Sequence, residues 1–177
     1  VDGTLTATVS TTATYGRGGA VTYAIVAGSG SATVNATTGL ITGVSTGAVT
    51  LVATSAGDSN YNSTSASQLI TIGKTTPVLA ITSANVISVD GTLTATVSST
   101  ATNGRGGVIT YAIVAGSGSA TVNATTGLVT GISTGMVTLT ATSAGDSNYN
   151  SASAAQLITI GKTTPVIIHG TLLILML

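Results

Sequence analysis

The chain has no cysteine, tryptophan, phenylalanine or glutamate. Without cysteine there is no disulfide framework to staple a small domain. The aromatic content is 3%, all of it tyrosine, so exposed flat rings for stacking on sugars are scarce. Charged residues make up only 5% of the 177 positions, against a usual quarter. Lys74, Lys162, Arg17 and Arg105 balance Asp2, Asp58, Asp90 and Asp146, so the net charge is zero. That leaves no basic field for nucleic acid or an anionic membrane. The one histidine, His169, has no second His, Cys or Glu to share a metal with. The longest apolar run, Val166 to Leu177, is 12 residues and contains His169 and Gly170. A membrane-spanning helix needs about 20.

Apolar residues reach 43%, enough for a buried core, while Thr and Ser supply the polarity. Few charges and many hydroxyls suit a surface outside the cell, so the expected location is extracellular or at the cell surface. Val1 in place of an initiator Met reads as a processed end or the edge of a longer sequence.

Self-comparison exposes the main organising feature. "VDGTLTATVS" stands at 1–10 and again at 89–98, a period of 88. Residues 1–78 and 89–166 share 68 identities and differ at 10 positions. Such a period is too long for solenoid units and fits whole small domains. "GKTTP", at 73–77 and 161–165, marks the boundary, because proline biases the preceding residue towards extended backbone. The expected division is 1–73, 74–161 and an apolar tail, 162–177.

Each repeat reads as all-β. "GTLTATVS" alternates, with Leu5, Ala7 and Val9 on one face and hydroxyls on the other. That is the period-2 pattern of a half-buried strand. "AVTYAIV" at 20–26 places Val21, Tyr23 and Ile25 together, and "GAVTLVATS" at 47–55 places Val49, Leu51 and Ala53 inward. Shorter strands fit 31–35 and 39–43, and "SQLITIG" at 67–73 closes the unit. No stretch has a capped helical period. The differences between repeats agree with this facing: Val52 becomes Thr140 and Ala48 becomes Met136, both outward. Val49, Leu51 and Ala53 return unchanged as Val137, Leu139 and Ala141, as interior volume demands. In the second repeat Leu93, Ala95, Val97, Ile109, Tyr111, Ile113, Val137, Leu139 and Ala141 are expected to be buried. Tyr23 and Tyr111 are expected at the centre of their cores. Short strands at this spacing imply tandem immunoglobulin-like β-sandwiches with an 88-residue repeat.

"SATVNATTGLITGVSTGAVTLVAT" at 31–54 resembles the signature of bacterial immunoglobulin-like domains of group 2 and their relatives. "AGDSNYNSTSASQLITI" at 56–72 is similar to the closing segment of related domains in very large secreted proteins. The resemblance covers both repeats up to Val166. It implies tandem sandwiches of the kind found in adhesins, stalks and secreted repeat proteins, and it implies no particular ligand.

Several short motifs invite a chemical reading and support a plainer one. Gly43–Gly47 and Gly131–Gly135 both match G-x-S-x-G, but the nucleophile elbow needs a helix after the serine and an Asp and His downstream. A strand follows here, so Ser45 and Ser133 are expected to be inert. Gly28-Ser29-Gly30 and Arg17-Gly18-Gly19 complete no phosphate-binding loop. Asp58 to Asn62 and Asp146 to Asn150 begin like a calcium loop but lack its glycine and its bidentate Glu; a turn held by side-chain-to-backbone bonds is expected. Tyr61 and Tyr149 are expected to fold back and pin these turns to the sandwich end. Asn35, Asn62 and Asn123 stand in glycosylation sequons, by chance in a chain rich in Asn and Thr. Tyr15, beside Arg17, is placed like a glycan-stacking ring, but its counterpart is Asn103. Outward threonine rows are solvated sheet faces. No catalytic set, cofactor or metal site is expected.

The repeat breaks after Pro165, and the break carries the functional expectation. Residues 1–73 lack a counterpart of 74–88, so the first sandwich is missing its first strand. Residues 162–177 start like that strand and then turn apolar. Val166, Ile167, Ile168, Leu172, Leu173, Ile174, Leu175 and Leu177 are the candidate assembly residues. They either open a following domain of a longer chain or add as a donor strand to the first repeat of another molecule. Contacts of that kind run head to tail and build open filaments. The expected function is a structural repeat protein: a stalk, an adhesin shaft or a filament subunit whose partner is itself. The alternative is a carbohydrate- or surface-binding module of a larger secreted protein, with a glycan or host surface as partner. An enzyme is not expected.

Overall fold

A computed structural model describes residues 1–14, 18–102 and 106–167. The described residues form fifteen β-strands and include no helix. None of these residues therefore forms a helix long and apolar enough to cross a membrane. The fold of these residues is all-β.

The first repeat supplies β1 (Thr4–Thr6), β2 (Val21–Ala27), β3 (Ser31–Val34), β4 (Leu40–Ser45), β5 (Gly47–Ser55) and β6 (Thr64–Ile72). They form two antiparallel sheets, β1-β4-β3 and β2-β5-β6. Val49 on β5 and Ile72 on β6 are buried with Val1, and Ala32 on β3 packs against them. The two sheets thus close over one core, as a sandwich requires.

Residues 74–161 supply β7 (Leu79–Ile81), β8 (Val86–Ser88), β9 (Thr92–Thr94), β10 (Val97–Ser99), β11 (Ile109–Ala115), β12 (Ser119–Val122), β13 (Leu128–Ser133), β14 (Gly135–Ser143) and β15 (Ala152–Gly161). Their strand orders are β12-β13-β9, β11-β14-β15-β8 and β10-β7. Strand β7 runs antiparallel to β10, while β8 runs parallel to β15. The segment before Val89 therefore pairs on two different strands in succession.

Chain proximity groups the residues into two compact units. One comprises Val1–Ile81, Val97–Thr110 and Ala141–Ala154; the other comprises Thr82–Thr96, Tyr111–Thr140 and Ala155–Leu177.

The period-2 patterns became strands with the expected inward faces on β5 and β14. Val49 and Leu51 are buried, and Val137, Leu139 and Ala141 are wholly so. Met136 points outward and is exposed. Four expectations need correction. "GTLTATVS" is not one strand: in the second repeat it breaks at Ala95 and Thr96, and β9 and β10 pair with different partners. Leu5 is exposed, not inward. Of the nine positions expected to be buried in the second repeat, Leu93, Ile109, Tyr111 and Ile113 are only half-buried. Tyr23 and Tyr111 are likewise half-buried, and the largest fully buried side chain is Tyr149. The tyrosine ring of β2 or β11 lies over Gly39 or Gly127 instead, where an added Cβ would stand about 3 Å from it.

Candidate functional site

The G-x-S-x-G serines sit where β4 meets β5 and β13 meets β14. Gly47 and Gly135 adopt φ of 127° and 130°, and a Cβ there would stand 2.5 and 2.4 Å from the amide nitrogens of Gly30 and Gly118. Glycine is needed for both conformation and space. The Ser45 hydroxyl meets the Ser31 hydroxyl at 2.8 Å, and Ser133 meets Ser119 in the same way. Asp58 accepts from the amides of Asn60 and Tyr61 (2.8 and 2.9 Å), and Asp146 from those of Asn148 and Tyr149 (2.7 and 2.9 Å). These are Asx turns. Among the described residues no three His, Cys, Asp or Glu come together.

The informative site is a strip of the first repeat. Identical or near-identical residues have different exposure in the two repeats. Ile158 and Ala141 are wholly buried, whereas Ile70 and Ala53 are only half-buried. Ala95 and Val97 are buried, whereas Ala7 and Val9 are half-exposed. Leu93 is half-buried, whereas Leu5 is 54% exposed. Sequence cannot be the cause, because the paired residues are the same. The difference is cover. In the second repeat Lys74–Ser88 lies along the strip; among the described residues nothing lies along it in the first.

What remains in the first repeat is a chain of open clefts. One is lined by Thr11, Gly18, Tyr61 and Asn62. The next is lined by Val9, Ser10, Ala53 and Thr64–Ala66. A third, of about 360 Å³, reaches Ala7, Leu51 and Gln68. The last is lined by Ile41, Gly43, Ile70 and Ile72. Their walls mix exposed backbone edges with apolar side chains, which suits an extended segment better than a rigid small molecule.

A second feature joins residues from both repeats inside the first compact unit. The Tyr149 hydroxyl donates to Asp2 Oδ2 at 2.6 Å, and the Thr102 hydroxyl donates to Asp2 Oδ1. These bonds, Thr102 first, hold the Asp2 carboxyl below the usual carboxylate range. Beside it, Thr46 N donates to Asn148 Oδ1 (3.1 Å) and the Thr46 hydroxyl to Ser147 O (2.9 Å). The Thr75 hydroxyl donates to Val1 O at 3.0 Å. Sequence reasoning put Tyr149 at a sandwich end but did not find Asp2 as its partner. The positive φ of Asp2, 59°, mirrored by Asp90 at 62°, is the local trait that a V-D-G turn could have signalled.

Of the candidate assembly residues, Val166 and Ile167 are 86% and 92% exposed and belong to no strand. Ile168, Leu172, Leu173, Ile174, Leu175 and Leu177 lie outside the described residues, as do His169, Tyr15, Arg17, Asn103 and Arg105.

No protein-family model and no curated protein matches the chain. Solved structures similar to it include Drosophila N-cadherin EC1-3, with 18% identity over 81% of this chain and 56% of that one, at a TM-score of 0.35. A C-terminal 282-residue fragment of intimin, solved with the intimin-binding domain of its translocated receptor, gives 20% identity over 79% and 51%, at 0.36. A SusE-like surface-located polysaccharide-binding protein from the Bacteroides thetaiotaomicron heparin utilisation locus gives 16% over 80% and 29%, at 0.31. The chain spans about half or less of the length of each.

Proposed function

We propose that this chain is a structural module of an extracellular or cell-surface protein, with repeats joined head to tail into a stalk, adhesin shaft or filament. The observation that carries the reading is that the chain leaves the second repeat as it leaves the first. The Thr75 hydroxyl donates to Val1 O, and the Thr163 hydroxyl donates to the equivalent Val89 O. Val1 N donates to Gly73 O, and Val89 N to Gly161 O. The same five residues, Lys-Thr-Thr-Pro-Val, follow each exit. After the first exit they enter a sandwich and start its edge. The second exit is equipped to do the same for a further repeat.

In this reading the segment from Lys162 onward adds as a strand to the open first repeat of a neighbouring molecule, with Val166 and Ile167 among its assembly residues. The contact is heterologous and need not close, so it extends. No catalysis, cofactor or metal enters the reading, and neither nucleic acid nor a membrane is its partner. The test is imaging of the native material combined with its size in boiling denaturant. Long thin fibres that dissociate to species near the 17.0 kDa of the chain are expected. Deleting 166–177 should leave unassembled protein; fibres from the truncated chain would overturn donor-strand assembly.

A further inference from the structure

We infer that the cleft row of the first repeat is a sequence-selective acceptor for one extended strand, and that it takes this strand in the register of residues 74–88, KTTPVLAITSANVIS. This deepens the proposed function by giving the register and side-chain pattern that the strip accepts, which the segment from Lys162 shares over its first five residues, and it rests on that reading only for the source of the strand.

The register comes from the second repeat, whose own residues touching 74–88 have counterparts 88 positions earlier. Asn150 N donates to Thr75 O (2.8 Å) and its side-chain amide to the Thr76 hydroxyl (3.0 Å). Pro77 is buried over Gly106, where an added Cβ would come within 3.2 Å of its ring. Thr100 N donates to Val78 O and its hydroxyl accepts from Val78 N. The first-repeat equivalents, Asn62, Gly18 and Thr12, all line the first cleft.

Farther along, Val97, Ser98 and Ser99 pair with Ile81, Ala80 and Leu79, and Leu79 is buried. Val9, Ser10 and Thr11, their counterparts, line the second cleft. The Gln156 side chain donates to Ser83 O at 3.0 Å, and Gln68 lines the third cleft. Finally Thr159 N donates to Asn85 O, Ile160 pairs with Ile87, and an added Cβ on Gly131 would stand 2.6 Å from Ser88 O. Thr71, Ile72 and Gly43 line the last cleft.

The clefts therefore follow one strand path from end to end, with the proline seat, the Leu79 seat and the Ile87 seat in order. Gly131 lies where a Cβ would meet Ser88 O at 2.6 Å, whereas at Gly43 it would meet only Ile72 and Val1, at 3.0 and 3.8 Å, so the place of the strand backbone there is unfilled. Selectivity follows from alternation, since Leu79 and Ile87 turn inward while Val78 and Val86 are exposed.

The experiment refolds the full chain from denaturant with excess synthetic peptide 74–88. Saturable one-to-one binding by fluorescence anisotropy and a melting temperature raised by several degrees are expected. A peptide carrying Leu79→Asp and Ile87→Asp should bind at least tenfold more weakly. Register is read by oxidation: a peptide with Ala80→Cys should form a disulfide with the Ser10→Cys chain and not with the Ser98→Cys chain, whose partner is already in place. Absent binding, equal binding of the two peptides, or equal trapping at both sites would overturn the inference. All readouts use added peptide, so a failure of fibres to form would sink the proposed function and leave this result standing.

Discussion

The Tyr149 hydroxyl and the Asp2 carboxylate, 147 residues apart in sequence, lie 2.6 Å apart. The equivalent tyrosine of the first repeat, Tyr61, has a different role: its hydroxyl accepts from Thr14 N at 3.1 Å. Nearly identical turns thus hold a ring that meets a carboxylate in one repeat and a backbone amide in the other. The ring of Tyr149 is also buried, so it contributes packing as well as a charge-assisted bond.

Tyr149→Phe should therefore destabilise more than Tyr61→Phe. Bonds to charged groups are worth about 1.5–3 kcal/mol and neutral ones about 1 kcal/mol. Partial exposure of Asp2 lowers the first figure to about 1–2 kcal/mol. Urea unfolding of the two variants measures the difference, and equal losses would mean the carboxylate adds nothing.

The same site predicts a pH dependence. The folded-state pKa of Asp2 is lowered, mainly by the Thr102 and Tyr149 hydroxyls. A lowered carboxyl pKa adds stability above the unfolded value, and the gain disappears as pH falls through the folded one. Wild type should exceed Asp2→Asn in stability at neutral pH, and the gap should close in acid below the ordinary carboxylate range. A gap independent of pH would place the effect in the turn and not in the charge.

Truncations along the covered and open strips should differ in cost. Ile158→Ala removes a wholly buried side chain and should cost about 3–5 kcal/mol. Ile70→Ala, at the same position of the half-open strip, should cost about 1–2 kcal/mol. Paired denaturation of the two variants tests this, and a cost for Ile70→Ala as large as for Ile158→Ala would show the strip to be covered.

At the strand junctions, glycine matters and serine does little. Gly47→Ala and Gly135→Ala meet a positive φ and a backbone clash together, and each should cost more than about 2 kcal/mol. Ser45→Ala and Ser133→Ala remove one hydroxyl pair each, for about 1 kcal/mol or less. Neither serine should react with an organophosphonate probe, and EDTA should leave the melting temperature unchanged. Labelling of Ser45 or a large shift on chelation would contradict this reading of the turns.

Much of the construction is local and therefore legible in the chain itself. The 88-residue repeat, the all-β character and the inward rows of β5 and β14 follow from identity and period-2 alternation, which act over a few residues. The Asx turns at Asp58 and Asp146 are local too, since donor and acceptor stand two or three residues apart. Burial is not local. Leu5 and Leu93 share sequence and strand but not exposure, because cover comes from 74–88, which only one of them has. "GTLTATVS" reads as one strand, yet in the second repeat it divides, because β7 and β13 each claim half of its backbone bonds. Tyr111 stands in the apolar stretch VITYAIV and Tyr149 in the polar stretch GDSNYNS, yet Tyr149 is the buried one, and only the packing of distant segments decided that. Sequence alone thus determined the repeat, its strands and its turns, where the deciding contacts are near neighbours. Tertiary structure decided which strip of the first repeat stays open and which carboxylate meets Tyr149, because cover is supplied by segments from about 20 to more than 70 positions away and Asp2 lies 147 positions from Tyr149.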